Sequence, residues 1–489
     1  MGITNQLKNQ HLLWRTGFGP MPQYFSFIRQ QSQKTLFKTI LKASSGSPEY
    51  LDVADNMFKG LMMGIGEVGR MQKKDLSEEE KKQFRKQSQQ DIKSLNLSWL
   101  NQMVYSESQL REKMALFWHG HFASRNLNIF YQQLLLDIIR RNALGNFSDL
   151  LFAVSKSAAM INFLNNNQNR KDHPNENFAR EVMELFTMGR GNYTEQDVKE
   201  AARAFTGWGA DLRGEFVFRY AQHDEGTKNF LGYKGNWDGD DILEILLKQK
   251  QTSIYITRKI YRFFVNDKAD DSKVNWLAER FYQNHYDIKR LMEDIFTSDW
   301  FYDEANIGTK IKSPVELIVG IRRMLPMEIE NPESQLLVQR LLGQLLFYPP
   351  NVAGWPGGTS WIDSSSLMFR LKIPGIMYSS DELYMNPKAD DDQMMGMHEF
   401  PDSNEKFRWR GKLNAGKGIQ VSIDWNPFLR QFDGIAKGEI LSSISSNLLQ
   451  LPSGADDHVM EKYLVNSDRD QYIKSAAILL MSTPEYQLC

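Results

Sequence analysis

Apolar side chains recur at i, i+3, i+4 and i+7 along most of this chain, the period of helices packed against a core. Residues 111–118 (REKMALFW) read as an amphipathic helix, and residues 134–139 and 150–164 continue the helical pattern. Residues 76–95 are charged with few apolar anchors, which predicts a solvated helix or a mobile linker. Two helices carry clear end signals. The first spans 176–188, with Phe178, Val182, Leu185 and Phe186 on one side, Asn175 to cap its start and Gly189 to end it. The second begins at Thr194, where Thr194 and Asp197 make a capping-box pattern ahead of Val198, Ala201, Ala202 and Phe205. Gly207 stops it, and Gly189-Arg190-Gly191 turns between the two, so the pair predicts a helical hairpin.

Strand signals are few. Residues 215–220 (EFVFRY) predict a short strand, and residues 406–409 and 419–423 could pair across 411–418. Residues 388–405 are polar and predict a mobile surface excursion. The segment 472–481 is apolar enough to dock onto the body. The expected fold is therefore mainly α: one large single-domain helical array over residues 1–489 with a few short β-hairpins.

Composition narrows the function classes. Net charge over the 489 residues is −1, which lacks the basic footprint of a nucleic-acid binder. Arg140-Arg141 reads as a solvated helix end. The single cysteine, Cys489, excludes an internal disulfide and a cysteine-based metal centre, and at a frayed terminus it would make a poor nucleophile. No stretch approaches the ~20 apolar residues of a membrane span. No signal peptide is visible, which predicts a cytoplasmic protein as written; a chain trimmed of its signal, periplasmic or exported, would read the same.

Several stretches together carry a resemblance: HLLWRTGFGP at 11–20, FWHGHF at 117–122, NENFAREVMELFTMGRGNYTEQDVKEAARAFTGW at 175–208, HDEGTKNFLG at 223–232, KSPVEL at 312–317 and GQLLFYPPNVAGWPGGTSWI at 343–362. This combination resembles the bacterial domain-of-unknown-function family 1800. The similar stretches run from His11 to about Arg370, and the closing TPEYQL also fits. The resemblance implies a mainly helical fold, one domain and a bacterial source. Many relatives are exported and encoded beside proteins that resemble alkaline phosphatases, which makes a phosphatase-like neighbouring protein the implied partner. The missing signal peptide is a departure. The family has no settled activity, so no catalytic role carries over.

The candidate chemistry is therefore read from the residues. His119 and His121 flank Gly120. On a regular helix, rings two residues apart point about 200° apart; only a helix end at Gly120 would let both face one centre. With Glu181 they form the expected ligand set for a divalent metal ion, the alternative being hydrogen-bonded rings capping a helix. His223, after the expected strand, is a general-base or ligand candidate, beside turn formers Asp224, Glu225 and Gly226. Arg180 and Arg203 could clamp an anion bidentately, although Glu176, Arg180 and Glu184, with Glu200 and Arg203 opposite, also suit a structural ion-pair network. Asp238-Gly239-Asp240-Asp241 fails the calcium-loop template and reads as a helix N-cap. Trp355 and Trp361, in the glycine-rich loop 349–361, could stack on a sugar ring or plug the loop into the body. Nucleophile-elbow, phosphate-loop, dinucleotide and HExxH patterns are absent. These residues point to a metal-assisted hydrolase or transferase acting on an anionic or sugar-like substrate. The alternative is a non-catalytic helical scaffold that binds a partner protein or glycan.

Overall fold

Two helices are buried on every face, and the others are arranged around them. Gln109–His121 buries all but two of its residues, Arg111, Glu112 and Lys113 included. Pro314–Met324 buries every residue. The amphipathic expectation for 111–118 is thus corrected: its polar side does not face water but meets internal partners. Lys113 and Glu316 join the two helices in an ion pair. Lys113 Nζ also donates to the carbonyls of Trp14 (3.2 Å) and Gly17 (2.8 Å). The other Glu316 oxygen accepts the Ser313 amide at 2.7 Å, closing a capping box at the start of Pro314–Met324. Burial alone would push this carboxyl up, but Lys113 and the capping bonds hold it down at about 2. One residue earlier, Glu112 takes a bidentate pair from Arg140 (3.0 and 2.9 Å) and the indole N–H of Trp99 at 3.0 Å. Arg140 is therefore fully buried, not a solvated helix end; only Arg141 is, paired with Asp137 on the surface.

The computed structural model describes residues 3–54, 77–211, 214–379 and 419–489. The excursion expected at 388–405 and the strand expected at 406–409 lie outside the described residues. The fold is mainly α, with three two-stranded antiparallel sheets among the described residues. Trp208–Ala210 pairs with Phe216–Phe218, and Lys228–Phe230 with Tyr233–Gly235, both as hairpins. Val421–Ile423 pairs far back in the chain, with Met327–Ile329. Buried apolar residues form two clusters, and Pro314–Met324 belongs to both: Val315 and Val319 face one, and Leu317, Ile318, Ile321 and Met324 the other. The closing helix Arg469–Met481 docks into the second cluster as expected. From residue 77 on, the segment expected as a solvated helix or linker forms a helix, Glu78–Tyr105, opened by a Ser77/Glu80 capping box. The pattern over 150–164 divides into Phe147–Ser155 and Ala158–Phe163, because Ser157 caps a new start. Cys489 is buried, its main chain bridging Lys310 (3.1 and 2.8 Å), so the expectation of a frayed end is also corrected.

Removing one partner of the central pair strands the other charge inside the protein. Lys113→Met should cost about 3–5 kcal/mol in urea unfolding, and Lys113→Met/Glu316→Gln should regain much of that loss. Equal stability of Lys113→Met and the wild type would contradict the ion pair as the tie between the two helices.

Candidate functional site

The helical hairpin forms as its caps predict, with one difference in its first arm. Asn175 caps Glu176–Glu181, which continues as a π-helix over Val182–Thr187. The Thr187 hydroxyl donates to the Val182 carbonyl at 2.7 Å, and the Met188 amide reaches back five residues to Met183 at 2.9 Å. The widened turn has a local cause: a hydroxyl that satisfies the carbonyl a tighter turn would have used. Thr194 and Asp197 cap the second arm, Glu195–Ala204. The chain then folds back sharply at Gly207 (φ 81°), where a Cβ would lie 2.7 Å from the Arg219 carbonyl oxygen. That close approach sets the strand pair and the loop carrying His223 onto the end of the second arm.

His119 and His121 do not share a centre. Gln109–His121 stays helical through both, so the rings leave on different sides. His119 Nε2 accepts the Phe347 amide at 3.2 Å, and its ring sits among Trp99, Phe347 and Trp355 with centroids 5.1, 5.0 and 5.6 Å away. Burial pushes its pKa down to about 3. His121 lies 3.3 Å from the Phe186 carbonyl through Nε2 and 3.0 Å from Lys259 Nζ through Nδ1. That pattern assigns Nε2–H as donor and Nδ1 as acceptor. Burial, and then Lys259, hold His121 neutral. Lys259, missed in the sequence, is itself pushed down to about 8 by burial. Only its long-range contact with His121 marks it out, and no local motif carries that. Glu181 is half-buried and raised by burial and by Glu184; it bonds to neither histidine. Among the described residues no group of three or more His, Cys, Asp or Glu could hold a metal ion. The proposed ligand set His119, His121 and Glu181 does not fit a metal, because both imidazole lone pairs are already used inside the protein.

Both arginine clamps are filled. Arg180 makes a fork-to-fork pair with Glu195 (2.8 and 2.7 Å) and reaches Glu176 at 3.1 Å. Arg203 does the same with Asp224 (2.8 and 3.1 Å) and bonds Glu200 at 2.9 Å. With their donors engaged by the chain's own carboxylates, neither presents an anion site. In the glycine-rich loop, Trp361 is buried against the body. Gly354 crosses the Gly120 carbonyl so closely that a side chain there would collide, and this seats Trp355 beside His119. Trp361 thus plugs the loop into the body, while Trp355 stays half-buried against His119.

His223 is the exception. Its Nδ1 lies 2.9 Å from the Thr206 carbonyl oxygen, which assigns the N–H there. The ring rests against Phe218 at 5.0 Å. Nε2 has no hydrogen bond from a described residue, and it is not among the sealed, unpaired polar atoms. His223 lines an open groove of about 600 Å³ with Lys171, Asp172, Tyr220, Ala221, Asp224 and Glu225. The loop is rigidly built. The Asp224 amide donates to the Thr206 hydroxyl at 2.8 Å, and Asp224 also accepts the Gly226 amide at 2.8 Å. The Lys171 amide bonds the Gln222 carbonyl at 2.8 Å, bringing a segment 51 residues upstream into the groove. Lys171 and Asp172 carry no motif that would have announced this.

A family model described as a protein of unknown function, DUF1800, matches residues 11–488. No curated protein and no solved structure matches.

The buried imidazoles have a consequence for acid stability. An unfolded histidine protonates near pH 6.5, whereas folded His119 does so only near 3. Between those values the unfolded state binds the extra proton, so stability is full above about pH 6.5 and falls as the pH drops. His119→Gln keeps an acceptor for the Phe347 amide and should remove about 3 kcal/mol of that fall by pH 4. Parallel unfolding curves at pH 7, 5 and 4 measure it; identical pH slopes in the two proteins would refute it.

Proposed function

The chain belongs to the DUF1800 family, and for this member we propose a hydrolytic or group-transfer activity on a sugar-like substrate, with His223 as general base. The observation that carries the reading is the state of that one ring. Its Nδ1–H is held by a main-chain carbonyl, and its Nε2 lone pair is open to a groove. A base needs this combination: a fixed orientation, and a partner that stabilises the imidazolium once the proton arrives. In the proposed step Nε2 takes the proton of a water or hydroxyl held in the groove, and the Thr206 carbonyl steadies Nδ1–H.

The groove's composition favours a sugar-like over an anionic substrate. Asp172 and Glu225 outnumber Lys171, and Asp224 is neutralised by Arg203. Tyr220, 75% exposed, offers a ring face beside these polar groups, an arrangement suited to a pyranose ring. Metal assistance drops out of the proposal, since the expected ligands do not fit one.

A second reading is a scaffold that holds a phosphatase-like neighbouring protein. Its support is an exposed apolar set near the C-terminus, Val459, Tyr463 and Val465.

The test is a panel of aryl glycosides and aryl esters. His223→Gln should lower kcat/KM on the turned-over member by about 10²–10⁴-fold with an unchanged circular dichroism spectrum. Tyr220→Ala should raise KM more than it lowers kcat. Unchanged turnover in His223→Gln, or no turnover by the wild type together with no glycan-induced shift of its His223 resonance, would sink the enzymatic reading.

A further inference from the structure

Away from the groove, the protein buries three cations that form no ion pair with an Asp or Glu side chain among the described residues. Arg15, Lys312 and Arg370 are each no more than 1% exposed. They gather about one short bridge. Ile311 pairs with Leu488, the Lys312 amide donates to the Gln487 carbonyl at 2.8 Å, and Lys310 pairs with Cys489. Arg15 Nη2 donates to the main-chain oxygens of Asn306 (2.9 Å) and Cys489 (2.7 Å). Lys312 Nζ donates to the Tyr486 carbonyl at 2.6 Å, between the rings of Trp14 and Tyr486 at 3.7 and 3.9 Å. Arg370 Nη1 donates to the Lys312 carbonyl at 2.9 Å.

The nearby acids are already used. Glu316 pairs with Lys113, and Asp267 pairs with Lys310 at 2.6 Å. Even with a carboxylate counted at Cys489, the cluster holds more positive than negative charge. Burial pushes Lys312 down to about 7 and Arg370 to about 10. The donors are also incomplete. Arg370 Nε and Nη2, Arg15 Nε and Nη1, the Tyr486 hydroxyl and the Gln487 amide are sealed from solvent without a partner. On Arg370 the two open donors are the adjacent Nε–Nη2 edge, the fork that matches two oxygens of one oxyanion. Buried charges are ordinarily paired, and buried donors ordinarily bonded.

We propose that this interior cluster is a binding site for a tetrahedral oxyanion, phosphate or sulfate, seated on the Nε–Nη2 edge of Arg370 with Lys312 and Arg15 supplying the remaining charge. The anion is an integral part of the fold and does not depend on the His223 groove. A free ion and a phosphate ester share this chemistry.

Protein purified in chloride-only buffer and then denatured should release about one equivalent of oxyanion per chain on ion chromatography. Total phosphorus compared with free phosphate separates a phosphate ester from the inorganic ion, and a sulfate peak identifies sulfate. Thermal melts should shift upward in phosphate or sulfate relative to chloride of equal ionic strength if the site empties during purification. Arg370→Lys keeps the charge but loses the fork, and should bind at least tenfold more weakly; Arg370→Gln should release none. Wild-type protein that releases no oxyanion and shows no phosphate- or sulfate-specific shift overturns the proposal. So does equal release by folded wild type and Arg370→Gln. If neither variant folds, the wild-type measurement alone decides.

Discussion

The architecture depends on one ion pair in a place where water cannot help. Lys113 and Glu316 lie on helices buried on all sides, and each would be a stranded charge without the other. Neither helix can rotate or slide by a residue without breaking the pair, the Trp14 and Gly17 carbonyl contacts, or the Ser313 capping box. The same requirement operates one residue away, where Glu112 holds Arg140 and the Trp99 indole. A helix that presents polar groups to a packed interior must find partners on neighbouring elements, and those partners fix the register of the array.

This constraint also sorts the histidines. His119 and His121 sit at the end of the buried Gln109–His121 helix, so each ring was drawn to whatever group needed a partner nearby: the Phe347 amide in one direction, the Phe186 carbonyl and Lys259 in another. A metal would have to displace those bonds. His223 lies on a surface loop, where one nitrogen is satisfied by the main chain and the other is left to the groove. Chemical availability, rather than closeness to a distinctive motif, separates the third ring from the first two.

How much of this was legible in the chain depended on distance along it. Signals confined to a few residues were realised: Asn175 and Thr194 cap the hairpin arms, Asp238 caps Gly239–Lys248, and the strand expected at 215–220 forms as Phe216–Phe218. Polar residues whose partners lie far away were misplaced. Arg140 looked like a solvated end because nothing local reveals Glu112 opposite it. Arg180 and Arg203 read either as anion clamps or as members of a structural ion-pair network; the network is what forms, with Glu176 and Glu200 as expected and with Glu195 and Asp224, which reach them only after the hairpin and the return loop form. The π-helix escaped for a subtler reason: the spacing of Val182, Leu185 and Phe186 suits an α-helix equally well, and one threonine hydroxyl changes the turn. Of the expected site, His223 lines a groove with a ring nitrogen left unbonded, and its neighbours Lys171 and Asp172 came from a segment that no pattern singled out.

The most direct test of this division is the imidazole nitrogen spectrum of the folded protein at neutral pH, with each signal assigned by single His→Gln substitution. For these three rings the account predicts a proton on Nδ1 of His119, on Nε2 of His121 and on Nδ1 of His223, with only His223 perturbed when a groove ligand is added. A ring of His119 or His121 that averages between tautomers, or that shifts on zinc addition along with its neighbour, would contradict it.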